Sequence, residues 1–117
     1  MSKIKIETTI TNLNTKEIVK KNYDAIMTNN SIKYKDDGVI IVNIFDDKII
    51  LKRNSSNREM ILEFVENKKT ISKYNVLNHT IDLNVFTKKI NKKEKYLEID
   101  YSIEDESINY KLVIKWY

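Results

Sequence analysis

From Leu97 to Trp116 nearly every second side chain is apolar. Leu97, Ile99, Tyr101 and Ile103 alternate with Glu98, Asp100, Ser102 and Glu104. After Glu104-Asp105-Glu106, Ile108, Tyr110, Leu112, Ile114 and Trp116 alternate with Asn109, Lys111, Val113 and Lys115. A period of two puts one set of side chains on one face of an extended strand and the other set on the opposite face. Two such runs joined by an acidic turn predict an antiparallel hairpin with one buried face.

The same period runs through most of the chain. Ile4, Ile6 and Ile10 oppose Lys3, Lys5, Glu7 and Thr9. Val19, Tyr23, Ala25 and Met27 are in phase, and Ile32 and Tyr34 stand between lysines. Residues 39–45 are apolar on both faces, and Ile49-Ile50-Leu51 follows after Asp46-Asp47. Met60, Leu62 and Phe64 form a further run, residues 71–76 a weaker one, and Ile81, Leu83 and Val85 alternate with Asp82 and Asn84. Nineteen isoleucines, seven valines and eight threonines against a single alanine reinforce the pattern. β-Branched side chains lose rotamer freedom on a helix and pack well on a pleated surface.

Turns must come from Asn, Asp and Ser, because the chain has one glycine and no proline. Asn29-Asn30, Asp36-Asp37-Gly38, residues 54–57 and Glu66-Asn67 are expected turns. Residues 15–28 carry a competing helical pattern, with Thr15 as a cap and Ile18, Val19, Tyr23, Ile26 and Met27 near a 3.6 period. The strand reading is preferred there. Such a number of short strands predicts an all-β chain in which residues 1–117 form one domain, a single antiparallel meandering barrel of about eight to ten strands. Closure removes the edges that a sheet of that size would expose.

The order of motifs resembles the YwiB-like family of small bacterial proteins. Ser56-Asn57-Arg58-Glu59-Met60 enters a strand, Tyr74 follows sixteen residues after Arg58, and Ile81-Asp82-Leu83-Asn84-Val85-Phe86-Thr87 alternates before the hairpin at residues 97–103. The family typically has Ser-x-Arg-Met, and here Glu59 stands between Arg58 and Met60. The resemblance implies a calycin-like (lipocalin-like) β-barrel and no settled activity.

Composition excludes several chemistries. Without cysteine there is no thiolate metal site, no disulfide scaffold and no Cys–His nucleophile pair, and one glycine cannot make a glycine-rich phosphate loop. His79 is the sole histidine and falls in an expected turn. Adjacent acids at Asp36-Asp37, Asp46-Asp47 and Asp105-Glu106 point to opposite sides and suit turns better than a carboxylate pair across a cleft. No catalytic residue, metal or cofactor is therefore expected. The N-terminal residues lack the continuous apolar core of a signal peptide and no window is long enough to span a membrane, so a cytoplasmic protein is the expectation.

Two binding roles remain. In the first, the barrel holds a small ligand, partly apolar or anionic, lined by Tyr23, Met60, Tyr101 and Tyr110. Arg58, in phase with Met60, Leu62 and Phe64, would fix a polar group; its alternative role is to tie down a loop. In the second, a basic face binds RNA or another anionic partner. Residues 48–95 carry twelve bases and five acids, including Lys68, Lys69, Lys73, Lys88, Lys89, Lys92, Lys93 and Lys95. Residues 88–95 are expected to form an exposed loop at a hairpin tip.

Overall fold

Among the described residues, ten strands follow one another around a closed barrel, each hydrogen-bonded antiparallel to the next, with the last returning to the first. They are β1 (Ser2–Asn12), β2 (Ile18–Thr28), β3 (Ser31–Lys35), β4 (Val39–Ile44), β5 (Ile49–Ser55), β6 (Arg58–Phe64), β7 (Lys69–Val76), β8 (His79–Lys93), β9 (Tyr96–Ile103) and β10 (Ile108–Trp116). The computed structural model describes residues 1–104 and 107–117. The acidic pair Asp105-Glu106 lies outside the described residues. The all-β meander expected from the alternation is the fold observed. Among the described residues no helix is long and apolar enough to cross a membrane.

The turns do what their residues allow. Asn29, Asp37, Asn57, Asn67 and Asn78 all have positive φ, between 50° and 68°. Asn and Asp tolerate this region better than other residues with a Cβ. Gly38 has φ 116°, and a Cβ there would collide with the carbonyl oxygen of Asn54. The one glycine therefore stands where the chain needs both an unusual dihedral and a close approach.

One alternative is excluded and one expectation is corrected. The helical alternative at residues 15–28 is not taken. Residues 18–28 form β2, which pairs with β1 from Ser2↔Met27 to Thr11↔Ile18. Its Ile and Val side chains suit a strand, and the ladder satisfies the backbone that a lone helix here would have to satisfy itself. Residues 88–95 are not a loop. Strand β8 runs through to Lys93 and pairs with β9 down to Lys93↔Tyr96, leaving only Glu94-Lys95 as the turn. A bulge between Thr87 and Lys89 shifts the phase of the lysines. The bulge also receives the β6–β7 connection: Asn67 N–H donates to the Thr87 carbonyl at 2.7 Å, and Ile90 N–H donates to Glu66 Oε2 at 2.8 Å.

The inner face is the apolar face of the alternation. Across it Ile6 opposes Tyr23 and Trp116, Val42 opposes Ile32 and Leu51, and Ile99 opposes Leu112. Ile6, Ile32, Val42, Phe64, Val85, Leu97, Ile99 and Ile114 have no exposed surface. Each such side chain contributes roughly 1.5–3 kcal/mol by leaving water. These residues fill the barrel toward the end that carries the turns at 29–30, 45–48, 65–68 and 94–95.

Candidate functional site

The other end of the barrel differs. It carries the turns at 13–17, 36–38, 56–57 and 77–78 and the connection from β9 to β10. Here inner-face residues keep contact with solvent: Ile10 is 40% exposed, Val19 48%, Ile81 50% and Ile108 37%. Their register places them inward, since Ile10 opposes Val19 and Leu112, Ile81 opposes Tyr74, and Ile108 opposes Ile103. The cause is unequal pairing. Strands β1 and β2 pair over ten residues, but β2 and β3 pair only from Ala25↔Tyr34 to Thr28↔Ser31. The upper half of β2 therefore rises beyond β3 with one neighbour. On the far side β8 begins at His79 beside β7, yet pairs with β9 only from Val85 onward. The two hairpins stand as walls of an open cup.

A charged cluster bridges the gap beside β2. The Tyr23 hydroxyl donates to Asp36 Oδ2 at 2.7 Å, Arg53 Nη2 donates to the same oxygen at 3.3 Å, and Lys21 Nζ lies 3.8 Å from it. One carboxylate thus faces two cations and a phenol. The tyrosine rings of Tyr23 and Tyr34 pack at 4.8 Å. Burial pushes the Tyr23 hydroxyl up to about 12, helped by the hydrogen bond to Asp36 and by its negative charge. Burial likewise holds Tyr34 at about 12, against the lowering effect of Arg53. Both phenols are neutral donors at ordinary pH.

Each residue expected to line the barrel can be placed. Tyr23 stands in the cluster just described. Met60 faces Arg53 on one side and Tyr74 on the other. Tyr101 is buried between rings, 4.8 Å from Phe64 and 5.5 Å from Tyr110, and burial pushes its hydroxyl up to about 12. It forms the floor of the cup, while Tyr110 is half-buried on the wall. Arg58 is exposed at the start of β6, opposite Ser55 and Val76. Inner-face register puts it diagonally above Arg53. Among the described residues it makes no ion pair.

Arg58 and His79 also border a polar groove of about 670 Å³ between the turns at 56–57 and 77–78, with Ser55, Glu59 and Thr80. The hydrogen bonds there run through Asn75, which donates to Glu59 and accepts from the Thr80 hydroxyl. Glu59 is thereby tied to Asn75 rather than to His79, and Thr80 likewise.

Sequence reasoning missed Lys21, Tyr34, Asp36 and Arg53 as site residues. The signal was present in phase alone: Lys21 shares a face with Tyr23, and Arg53 with Ile49 and Leu51. A charged residue on an otherwise apolar face requires a partner.

Several lysines of the expected basic face are engaged by neighbours. Lys92 Nζ donates to the carbonyls of Phe45 and Asp46 at 2.9 and 3.2 Å. Lys88 donates to Asn109 at 3.2 Å, Lys73 pairs with Asp82 at 3.5 Å, and Lys89 stands opposite Asp100.

A family model described as a domain of unknown function (DUF1934) matches residues 4–114. Among solved structures, the YwiB protein from Bacillus subtilis is similar, with a TM-score of 0.68 and 19% sequence identity, covering 97% of this chain and 88% of that one. At that identity the likeness concerns the fold. No curated protein matches the chain.

Proposed function

The chain belongs to the DUF1934 family, a domain of unknown function, and from the geometry of its open end we propose that it binds a small anionic, partly apolar molecule in the cup. The observation that carries this reading is the exposure of inner-face isoleucines and valine at one end only, beside Arg53 and Lys21. Among the described residues, Lys21, Arg53 and Arg58 stand on the inner face of the strands beside the carboxylate of Asp36, a local excess of positive charge on this side of the cup.

Arg53 uses Nη2 on Asp36, and a guanidinium has further donors in a fixed fork suited to carboxylate or phosphate. Arg58, one diagonal step away, can approach the same group. Tyr23, Tyr34, Met60 and Tyr110 offer apolar surface below it. A small ligand at the mouth of a barrel is also the use expected of a calycin-like fold. In this reading the ligand is held rather than transformed. The phenols of Tyr23 and Tyr34 are pushed up to about 12, so the mouth supplies neutral donors beside the arginines for binding an anion.

The reading predicts a chain-length series. Each ligand methylene that leaves water adds roughly 0.8 kcal/mol. Thermal-shift titration with straight-chain alkyl carboxylates and alkyl phosphates should therefore give stabilisation that grows with chain length and levels off once the tail outgrows the cup. Equal shifts for all lengths, or none for any, would exclude it.

A further inference from the structure

A groove of about 960 Å³ runs along β1, β2 and β3; its lysine rims lie on the outer face, and Tyr23 and Tyr34, which also border the cup, line its inner side. Its two rims are lysine pairs, Lys3 and Lys5 on β1, and Lys33 and Lys35 on β3. All four are exposed. The register sets them out as two rails: Ile26 on β2 faces Lys3 on one side and Lys33 on the other. The rails are thus about 9–10 Å apart, and the lysines within each rail about 7 Å apart, from strand spacing and rise.

Between the rails lie Ile26, 38% exposed, and Asp24. Asp24 is 3.7 Å from Lys5, which offsets one of the four charges. Lys3, Lys33 and Lys35 remain in excess. Tyr117, 66% exposed, lies in the lining of the groove, its backbone held to Lys5 by two hydrogen bonds of 3.0 Å. A positive groove with regularly spaced cations, an apolar strip and an exposed aromatic side chain on an anchored backbone suits a single nucleic-acid strand. The lysines take successive phosphates, and a base stacks on the ring. We propose that this β1–β3 groove binds single-stranded nucleic acid. It locates a nucleic-acid surface on a different face from the lysine run at residues 88–95.

The test is fluorescence anisotropy of labelled U12 RNA with the intact protein at several salt concentrations. Binding should weaken with salt, with a log–log slope of about −2 to −3, at about 0.7 for each phosphate neutralised. A variant carrying Lys3→Ala, Lys33→Ala and Lys35→Ala should lose at least tenfold in affinity at low salt and most of that slope. Tyr117→Ala should weaken binding severalfold without changing the slope. A control with Lys88→Ala and Lys92→Ala should bind as the parent does. The proposal is overturned if U12 does not bind at low salt, if the control pair rather than the groove triple abolishes binding, or if polyglutamate or anionic vesicles compete as well as unlabelled RNA. In the last case the groove accepts acidic surfaces without regard to bases.

Discussion

Tyr23 and Asp36 are joined by a 2.7 Å hydrogen bond at the point where β2 has parted from β3. It replaces the backbone ladder that the two strands no longer share and anchors the rising β1–β2 hairpin to the barrel. Arg53 and Lys21 converge on the same carboxylate oxygen, so one acid organises the charged side of the cup.

Replacing Asp36 with Asn should release both cations and weaken the tie to Tyr23. The side chains are partly exposed, so the stability cost should be modest, about 1 kcal/mol or less. The more specific consequence is on Tyr23. Its hydroxyl loses two of the influences that raise it but keeps the burial, so it should titrate below about 12 yet above the ordinary tyrosine range. Tyrosinate absorbance of Asp36→Asn against the parent, each compared with its Tyr23→Phe derivative, reads this directly. An unchanged Tyr23 titration would contradict the assigned hydrogen bond.

Alkaline conditions should destabilise the fold over a defined window. Tyr23, Tyr34 and Tyr101 are raised to about 12 in the folded chain, against an ordinary value of 10.0. Between those values the unfolded chain binds fewer protons than the folded one, so stability falls as pH rises. Below pH 10 these three groups are protonated in both states and contribute no pH dependence. Urea denaturation at pH 9, 10, 11 and 12 should show the loss beginning near 10, and Tyr101→Phe should reduce it. A flat profile to pH 12 would contradict the burial of these hydroxyls.

Leu77 is predicted to be a weak point that substitution improves. It has φ 47° and is 65% exposed in the β7–β8 turn. A leucine pays for the left-handed region without recovering the cost through burial. Leu77→Asn should raise stability by about 0.5–1 kcal/mol, since asparagine tolerates this dihedral. Thermal or urea midpoints decide it, and a decrease would show that the leucine makes a contact of value.

The fold was legible because its cause is local. Alternation at Ile4–Ile10, Leu97–Ile103 and Ile108–Trp116 fixes which face is buried, and Asn29-Asn30 and Asp36-Asp37-Gly38 mark reversals by dihedral preference. The aromatic lining was legible for the same reason, since Tyr23, Tyr101 and Tyr110 share phase with Ile, Leu or Ala. The charged side of the cup was not legible. The Asp36 contacts to Tyr23 and Arg53 span 13 and 17 residues. They exist because β2 and β3 stop pairing after four residue pairs, a length that no local pattern sets. In sequence Asp36 is therefore only a turn acid, and Arg58, in phase with Met60, Leu62 and Phe64, stands out more than Arg53. The lysines at 88–95 misled for a related reason. Charge clustered in sequence looked like a loop tip, but a fifteen-residue strand with a bulge spreads those side chains over the barrel.

The central claim is that the cup, and not the lysine-railed groove, holds an anionic amphiphile. Amide shift mapping by ¹H–¹⁵N NMR during titration with octyl phosphate tests it most directly, because both surfaces carry cations beside apolar area. The account predicts saturating shifts at Arg53, Met60 and Tyr110, lost in Arg53→Ala, with Lys3, Lys33 and Tyr117 little affected. Shifts confined to Lys3, Lys33 and Tyr117, or shifts at the cup that persist unchanged in Arg53→Ala, would contradict it.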